Sequence, residues 1–178
     1  MFKRKKEEIR KERFTTKRDN LQIVGEEYRK EGSSLPIAIV SHGFMANMST
    51  TRGYAKYLAE LGYCAYCFDF CGGGNYSKSD GKTTEMSIFT ERDDLKAILQ
   101  NLRQLPEVDT LRITLMGESQ GGIVTAITAA EVEPLIHDIV LFYPAFSIPD
   151  DSRRRFPTLQ DMPEEGEIWG VKLGKCYG

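Results

Sequence analysis

The sequence predicts an α/β fold built on a doubly wound, mostly parallel sheet. From residue 35 onward, strand-like and helix-like patterns alternate. Residues 35–40 and 64–70 are near-continuous apolar runs, the pattern of strands buried on both faces. A glycine-flanked serine, Gly117-Glu118-Ser119-Gln120-Gly121, stands where a third strand-like run gives way to an apolar helix. At 178 residues, with 40% hydrophobic and 10% aromatic side chains, the chain can bury one sizeable core.

The elements follow in order. Residues 13–16 and 21–28, parted by Arg18-Asp19-Asn20, read as an antiparallel hairpin. After the strand at 35–40, Tyr54, Tyr57, Leu58 and Leu61 fall at helical spacing. Gly62 then sits where a helix C-terminus favours positive φ. The strand at 64–70 empties into the loop Cys71-Gly72-Gly73-Gly74-Asn75. Ile88, Leu95, Ile98, Leu99, Leu102 and Leu105 line one face of a helix that Pro106 closes. Residues 111–116 form the third parallel strand, 123–130 a helix buried against the sheet, and 136–143 the last strand. The stretch from Ile148 to Arg155 reads as a polar break, and 156–178 has no clear period.

Charge and composition exclude several classes. Lys and Arg number 24 against 26 Asp and Glu, so no overall basic field points to nucleic acid. Residues 1–20 hold nine cations and four acids, which marks residues 1–12 as a basic, solvated arm. No apolar stretch follows that start as in a secretory signal, and no run is long enough to span a membrane. Four cysteines, at 64, 67, 71 and 176, suit reduced thiols in a cytoplasmic protein better than a disulfide framework.

The chemistry concentrates at Ser119. A strand-to-helix turn this tight strains the serine backbone, and Gly117 and Gly121 remove Cβ atoms that would collide with neighbours. The hydroxyl then projects above the C-terminal sheet edge, with the Gln120 backbone N–H aimed at the same point from a helix N-terminus. His42-Gly43-Phe44, at the end of an earlier buried strand, offers a second oxyanion donor in the Phe44 N–H. His42 reads as a brace of that turn, with Gly43 as loop support.

The sequence resembles the α/β-hydrolase superfamily, and within it the bacterial cinnamoyl (feruloyl) esterases. The resemblance rests on four segments. They are Ser41-His42-Gly43-Phe44, Gly117-Glu118-Ser119-Gln120-Gly121-Gly122, Leu141-Phe142-Tyr143-Pro144-Ala145, and Cys67-Phe68-Asp69-Phe70-Cys71-Gly72-Gly73-Gly74-Asn75 with the following Ser79-Asp80-Gly81. It covers about residues 12–178. Two departures stand out: the family commonly has His at the position of Glu118, and Arg-Gly-His-Gly or Phe-Gly-His-Gly at Cys71-Gly72-Gly73-Gly74. The resemblance implies residues 13–147 as hydrolase core and 148–178 as the start of a cap that holds an aromatic acyl group. It implies hydrolysis of small carboxylic esters, hydroxycinnamoyl esters among them, through an acyl-enzyme. No metal or organic cofactor is implied.

The rest of the expected triad is missing. On this fold an acid and then a histidine follow the serine, yet His137 is the only histidine after Ser119. The acids between them, Glu131 and Glu133, fall at the far end of the helix that Ser119 starts, and His137 opens the next strand at that same far edge. The sequence therefore reads as an N-terminal portion, cut before the last strands, with its general base outside the chain. The last strand becomes an apolar edge that invites self-association. Rival readings are a peptidase, thioesterase or lipase on the same fold, or a fragment with no catalysis of its own.

Several tempting features have plain explanations. Cys64 and Cys67, three apart on a strand, face opposite ways and are buried thiols. Gly72-Gly73-Gly74 lacks phosphate-loop spacing and is a loop beside the site. Asp69 makes a structural hydrogen bond, Arg153-Arg154-Arg155 is a solvated face, and Tyr143 and Phe146 belong to the core in preference to an acyl pocket.

Overall fold

The computed structural model describes residues 8–106, 108–158 and 160–175. Residues 1–7 of the basic arm, and Cys176, lie outside them. Strand β1 (Arg10–Arg18) begins within the arm and pairs antiparallel with β2 (Leu21–Arg29) through a turn in which Asp19 takes φ 53°. Next come β3 (Leu35–Ser41), α1 (Met48–Glu60) and β4 (Cys64–Asp69). Then follow a 3-10 turn at Thr83–Glu85, α2 (Ile88–Leu102) and β5 (Val108–Glu118). Helix α3 (Gln120–Val132) and β6 (Asp138–Phe142) complete the sheet.

The sheet order is β1-β2-β4-β3-β5-β6, with β4, β3, β5 and β6 parallel and the β1–β2 hairpin antiparallel at one edge. Helix α1 covers one face, packing Ala55 and Ala59 onto Val24, Ala38, Val40, Ala65 and Cys67. Helices α2 and α3 cover the other, where Leu95, Ile98, Leu102 and Val124 meet Ile37, Ile39, Tyr66, Phe68 and Leu115. The predicted doubly wound class is the observed one. Cys64 and Cys67 do fall in the two opposite layers.

The helix face predicted for α1 is only half right. Tyr54 and Leu58 pack against the core, but Tyr57 and Leu61 are each 60% exposed. The buried positions are Met48, Thr51, Ala55 and Ala59, because small side chains let the helix lie close to the sheet. Asn47 caps the helix, its side chain accepting from the Ser49 N–H, a contact worth ~1 kcal/mol. Gly62 closes it at φ 99°. Helix α3 is buried over its first turns, while Ala126 and Ile127 are half-buried and Ala130 is exposed.

The tail also differs from expectation. The supposed polar break is helix α4 (Ile148–Arg155), with a proline and Asp150 and Asp151 in its first turn and three arginines in its last. That order satisfies the helix dipole at both ends. The three arginines are nonetheless a solvated face: Arg153 and Arg154 pair with Asp150 and Asp151 one turn back, all four side chains exposed. Strands β7 (Glu165–Ile168) and β8 (Val171–Gly174) form a separate hairpin. Val171 and Leu173 are its buried residues, and Thr83 Oγ1 donates to the Lys172 carbonyl at 2.6 Å.

Candidate active site

Strand β5 delivers Ser119 to the C-terminal sheet edge, where the chain turns at once into α3. Ser119 takes φ 51° and ψ −120°, a left-handed geometry that costs a non-glycine residue ~1–3 kcal/mol. Surrounding bonds hold it there. Its N–H donates to the Phe142 carbonyl at 3.0 Å, and its own carbonyl accepts from Gly122 N at 3.0 Å and Ala145 N at 2.9 Å.

The flanking glycines are required by close approach. A Cβ on Gly117 would stand 2.2 Å from the Gly121 carbonyl oxygen, and one on Gly121 would stand 2.3 Å from that of His42. A Cβ on Gly43 would stand 3.1 Å from Ser119 Cβ and 3.7 Å from its Oγ. The Ser41-His42-Gly43-Phe44 turn is thus packed directly against the serine. Phe44 follows at that turn, and Gln120 is the first residue of α3.

His42 is fully buried and both ring nitrogens are engaged. Nδ1 lies 2.8 Å from the Gly43 carbonyl and Nε2 accepts the Phe70 N–H at 3.2 Å. These partners fix a neutral ring protonated on Nδ1. Burial lowers its pKa below the ordinary value, against smaller opposing effects of the Gly43 bond and of Asp69 and Glu118. Its role is to tie the Gly43 turn to the end of β4. Gly73 packs on the same ring, where a Cβ would stand 3.3 Å from His42 Cε1, so the triple-glycine loop does border the site. Asp69 is structural: its carboxylate accepts from Met48 N at 2.6 Å and Lys78 N at 2.7 Å.

The remaining candidates lie elsewhere. The register of β5 with β6 sets Thr114 opposite Asp138, and His137 N donates to the Ile113 carbonyl, so six strand steps of ~3.3 Å put His137 about 20 Å from the Ser119 level. There His137 Nδ1 contacts Asp138 Oδ2 at 2.7 Å, both side chains largely exposed. Glu131 lies at the end of α3, paired with Arg92 and Lys96. Among the described residues, His137 thus lies at the opposite end of the strands from Ser119, and the His42 nitrogens are engaged with Gly43 and Phe70.

Tyr143 and Phe146 are not core residues. They are 67% and 53% exposed, because the chain leaves β6 at the sheet edge and Tyr143 adopts φ 36°. Sequence reasoning also missed four contacts around the serine. Glu118 accepts from Thr50 Oγ1 at 3.1 Å and Tyr143 OH at 3.0 Å. The Gln120 side chain donates to buried Glu91 at 2.8 Å. Trp169, 82% exposed in the β7–β8 turn, comes within 6.2 Å of the Phe44 ring. Only a turn signal at Trp169-Gly170 could have announced the last of these.

Known structures share this fold. Est1E from Butyrivibrio proteoclasticus, with ferulic acid bound, superposes with a TM-score of 0.80 at 24% identity, over 92% of this chain and 68% of that one. The esterase Pf2001 from Pyrococcus furiosus gives 0.67 at 26% identity, over 89% and 60%. DcsB in complex with a substrate analogue gives 0.68 at 28% identity, over 76% and 45%. The chain therefore spans between 45% and 68% of the lengths of these three proteins. Among the described residues no helix is long and apolar enough to cross a membrane. Residues 33–166, more than half of the sequence, match the serine aminopeptidase (S33) family of hydrolases, and with its α/β-hydrolase sheet and serine turn the chain belongs to that family.

Proposed function

We propose that this chain supplies the nucleophile and the oxyanion donors of a serine carboxylic ester hydrolase. Ser119 Oγ attacks the ester carbonyl, and the Phe44 and Gln120 N–H groups receive the oxyanion. The tetrahedral intermediate expels the alcohol to leave an acyl-serine, which water then hydrolyses. A histidine outside these 178 residues takes the serine proton and returns it to the alcohol. Without that base Ser119 keeps the reactivity of an ordinary alcohol, and the chain alone turns over far below enzyme rates. No step uses a metal or organic cofactor.

The observation that carries the reading is the left-handed Ser119 backbone on a strand-to-helix turn. The substrate class is small acyl esters, hydroxycinnamoyl esters included. Ferulic acid bound to the similar Est1E supports it, as do the exposed rings of Tyr143, Phe146 and Trp169 on the segments after β6. We assign residues 148–175 to the beginning of a cap over the acyl group. Three free, buried thiols suit a reducing cytoplasm. A peptidase reading is favoured by the name of the matching family; it shares the nucleophile and differs in the leaving group.

The test replaces the missing base with intrinsic nucleophilicity. A thiol carries a few per cent thiolate at neutral pH and needs no base. Ser119→Cys should be acylated stoichiometrically by p-nitrophenyl esters, in a burst that the Ser119→Ala chain lacks. Acylation by the corresponding anilide at equal speed would favour the peptidase reading. No burst with either substrate would contradict the site.

A further inference from the structure

Helix α2 presents two carboxyls, one turn apart, on its buried face. Asp94 is 0% and Glu91 1% exposed, although acids on a helix normally face water. Asp94 is fully engaged: it accepts from Arg18 Nε at 2.6 Å and from Cys71 N at 2.7 Å, fixing the start of the triple-glycine loop. Glu91 reaches the other wall of the serine turn. Its Oε2 accepts from Gln120 Nε2 at 2.8 Å, and Met86 Sδ lies 3.8 Å from the same nitrogen. Nothing in the reaction described above uses Glu91.

We propose that Glu91 is a positioning residue: its buried carboxyl anchors the Gln120 side chain and so fixes the aim of the backbone N–H that follows the nucleophile. This rests on the reading of Gln120 as an oxyanion donor. The argument lies in the peptide unit joining residues 119 and 120. Its carbonyl end is held by Gly122 N and Ala145 N. Its N–H end belongs to Gln120, whose 1%-exposed side-chain amide is anchored on Glu91 with Met86 Sδ beside it. With both ends tied, the peptide cannot swing to relieve the left-handed strain at Ser119. Releasing the second tie lets the donor drift from the oxyanion position, and small misplacements of catalytic groups are costly in rate.

Burial favours the neutral form of the carboxyl, which suits the task. Burial, with a smaller contribution from the charge of Asp94, pushes Glu91 up to about 8, while the Gln120 bond acts in the opposite sense. The groups around it are Asp94 on its own helix, compensated by Arg18 of β1, and uncharged Gln120 and Met86. The pairs of Arg92 and Lys96 with Glu131 lie on the outer side of the α2–α3 contact. Above its pKa, Glu91 would set a negative charge behind the donor that must stabilise an oxyanion.

The experiment measures acylation of the Ser119→Cys chain by p-nitrophenyl acetate per thiolate, the thiolate being counted by its ultraviolet absorbance. Adding Glu91→Ala should slow the rate roughly tenfold to a hundredfold. Adding Glu91→Gln, which keeps the acceptor, should restore the parent rate at pH 7. The parent should lose rate per thiolate above pH 8, and the Glu91→Gln chain should not. Equal rates for parent and a folded Glu91→Ala chain would overturn the proposal. Should that variant not fold, identical pH profiles of parent and Glu91→Gln would overturn it. Absence of any burst in the parent would remove the ester-hydrolase reading and this role with it, a result distinct from a burst indifferent to residue 91.

Discussion

The two ends of β5 and β6 carry similar chemical groups in different settings. At the C-terminal end, Ser119 lies in a strained turn held by Phe142, Gly122 and Ala145 and packed against Gly43. At the N-terminal end, His137 and Asp138 form an imidazole–carboxylate contact at 2.7 Å, exposed to solvent. A serine hydroxyl, an imidazole and a carboxylate are thus all present in one chain, yet strand steps of ~3.3 Å put about 20 Å between Ser119 and His137 and about 16 Å between Ser119 and Asp138. Residue inventory does not make a triad; which end of the strand each residue occupies decides it. His42, though near the serine, is excluded by a different cause, because both of its nitrogens are already bonded.

The largest way to break the contrast is to crowd the tightly packed end. Gly121→Ala would set a Cβ 2.3 Å from the His42 carbonyl oxygen and 2.6 Å from that of Ser41. Neither is a flexible tip, so a loss of about 3 kcal/mol or more is expected in urea unfolding. A fully stable Gly121→Ala chain would show that the turn is looser than described.

Next in size is the pH response of the same end. Glu91 is raised from the ordinary value of 4.5 to about 8, so between those values the native state holds a proton the unfolded chain has released. Its contribution therefore makes stability fall as pH rises from 4.5 to 8, by up to a few kcal/mol, and flatten beyond. Glu91→Gln should remove that slope. His42 works in the opposite sense: lowered by burial, it contributes stability above 6.5 that is lost as pH falls through its folded value. Chemical denaturation of parent and Glu91→Gln at several pH values separates the two, and parallel curves would contradict the burial of Glu91.

A smaller effect belongs to the exposed edge. In β6, Ile139, Val140 and Phe142 are 48%, 39% and 38% exposed, and an open apolar strand pairs with other copies. The parent should elute above its monomer mass in size-exclusion chromatography, and Val140→Lys should shift it toward monomer. Two identical monomer peaks would contradict self-association through this strand.

Much of this was legible in the sequence because backbone geometry dictates it. Ser119 could be placed since only glycines tolerate the approach of Gly117 to Gly121 and of Gly121 to His42, and the buried strands announced themselves as apolar runs. What escaped depends on tertiary context. On α1 large side chains read as the buried stripe, whereas Ala55 and Ala59 face the sheet because helix and sheet lie close. Glu91 and Asp94 share the apolar face of α2 but look like solvent-facing acids until Gln120 and Arg18 are brought to them. The β7–β8 hairpin has only Val171 and Leu173 as alternating buried residues, too short a pattern to detect beside charged neighbours.

On this reading Ser119 finds no proton acceptor among the described residues. The most direct measurement is the rate at which a fluorophosphonate labels Ser119 at neutral pH, compared between parent and His137→Ala. His137 is exposed and remote, so the substitution should move stability by no more than about 0.5 kcal/mol. Labelling should be slow and identical in both chains. Rapid labelling of the parent that His137→Ala abolishes would contradict this reading.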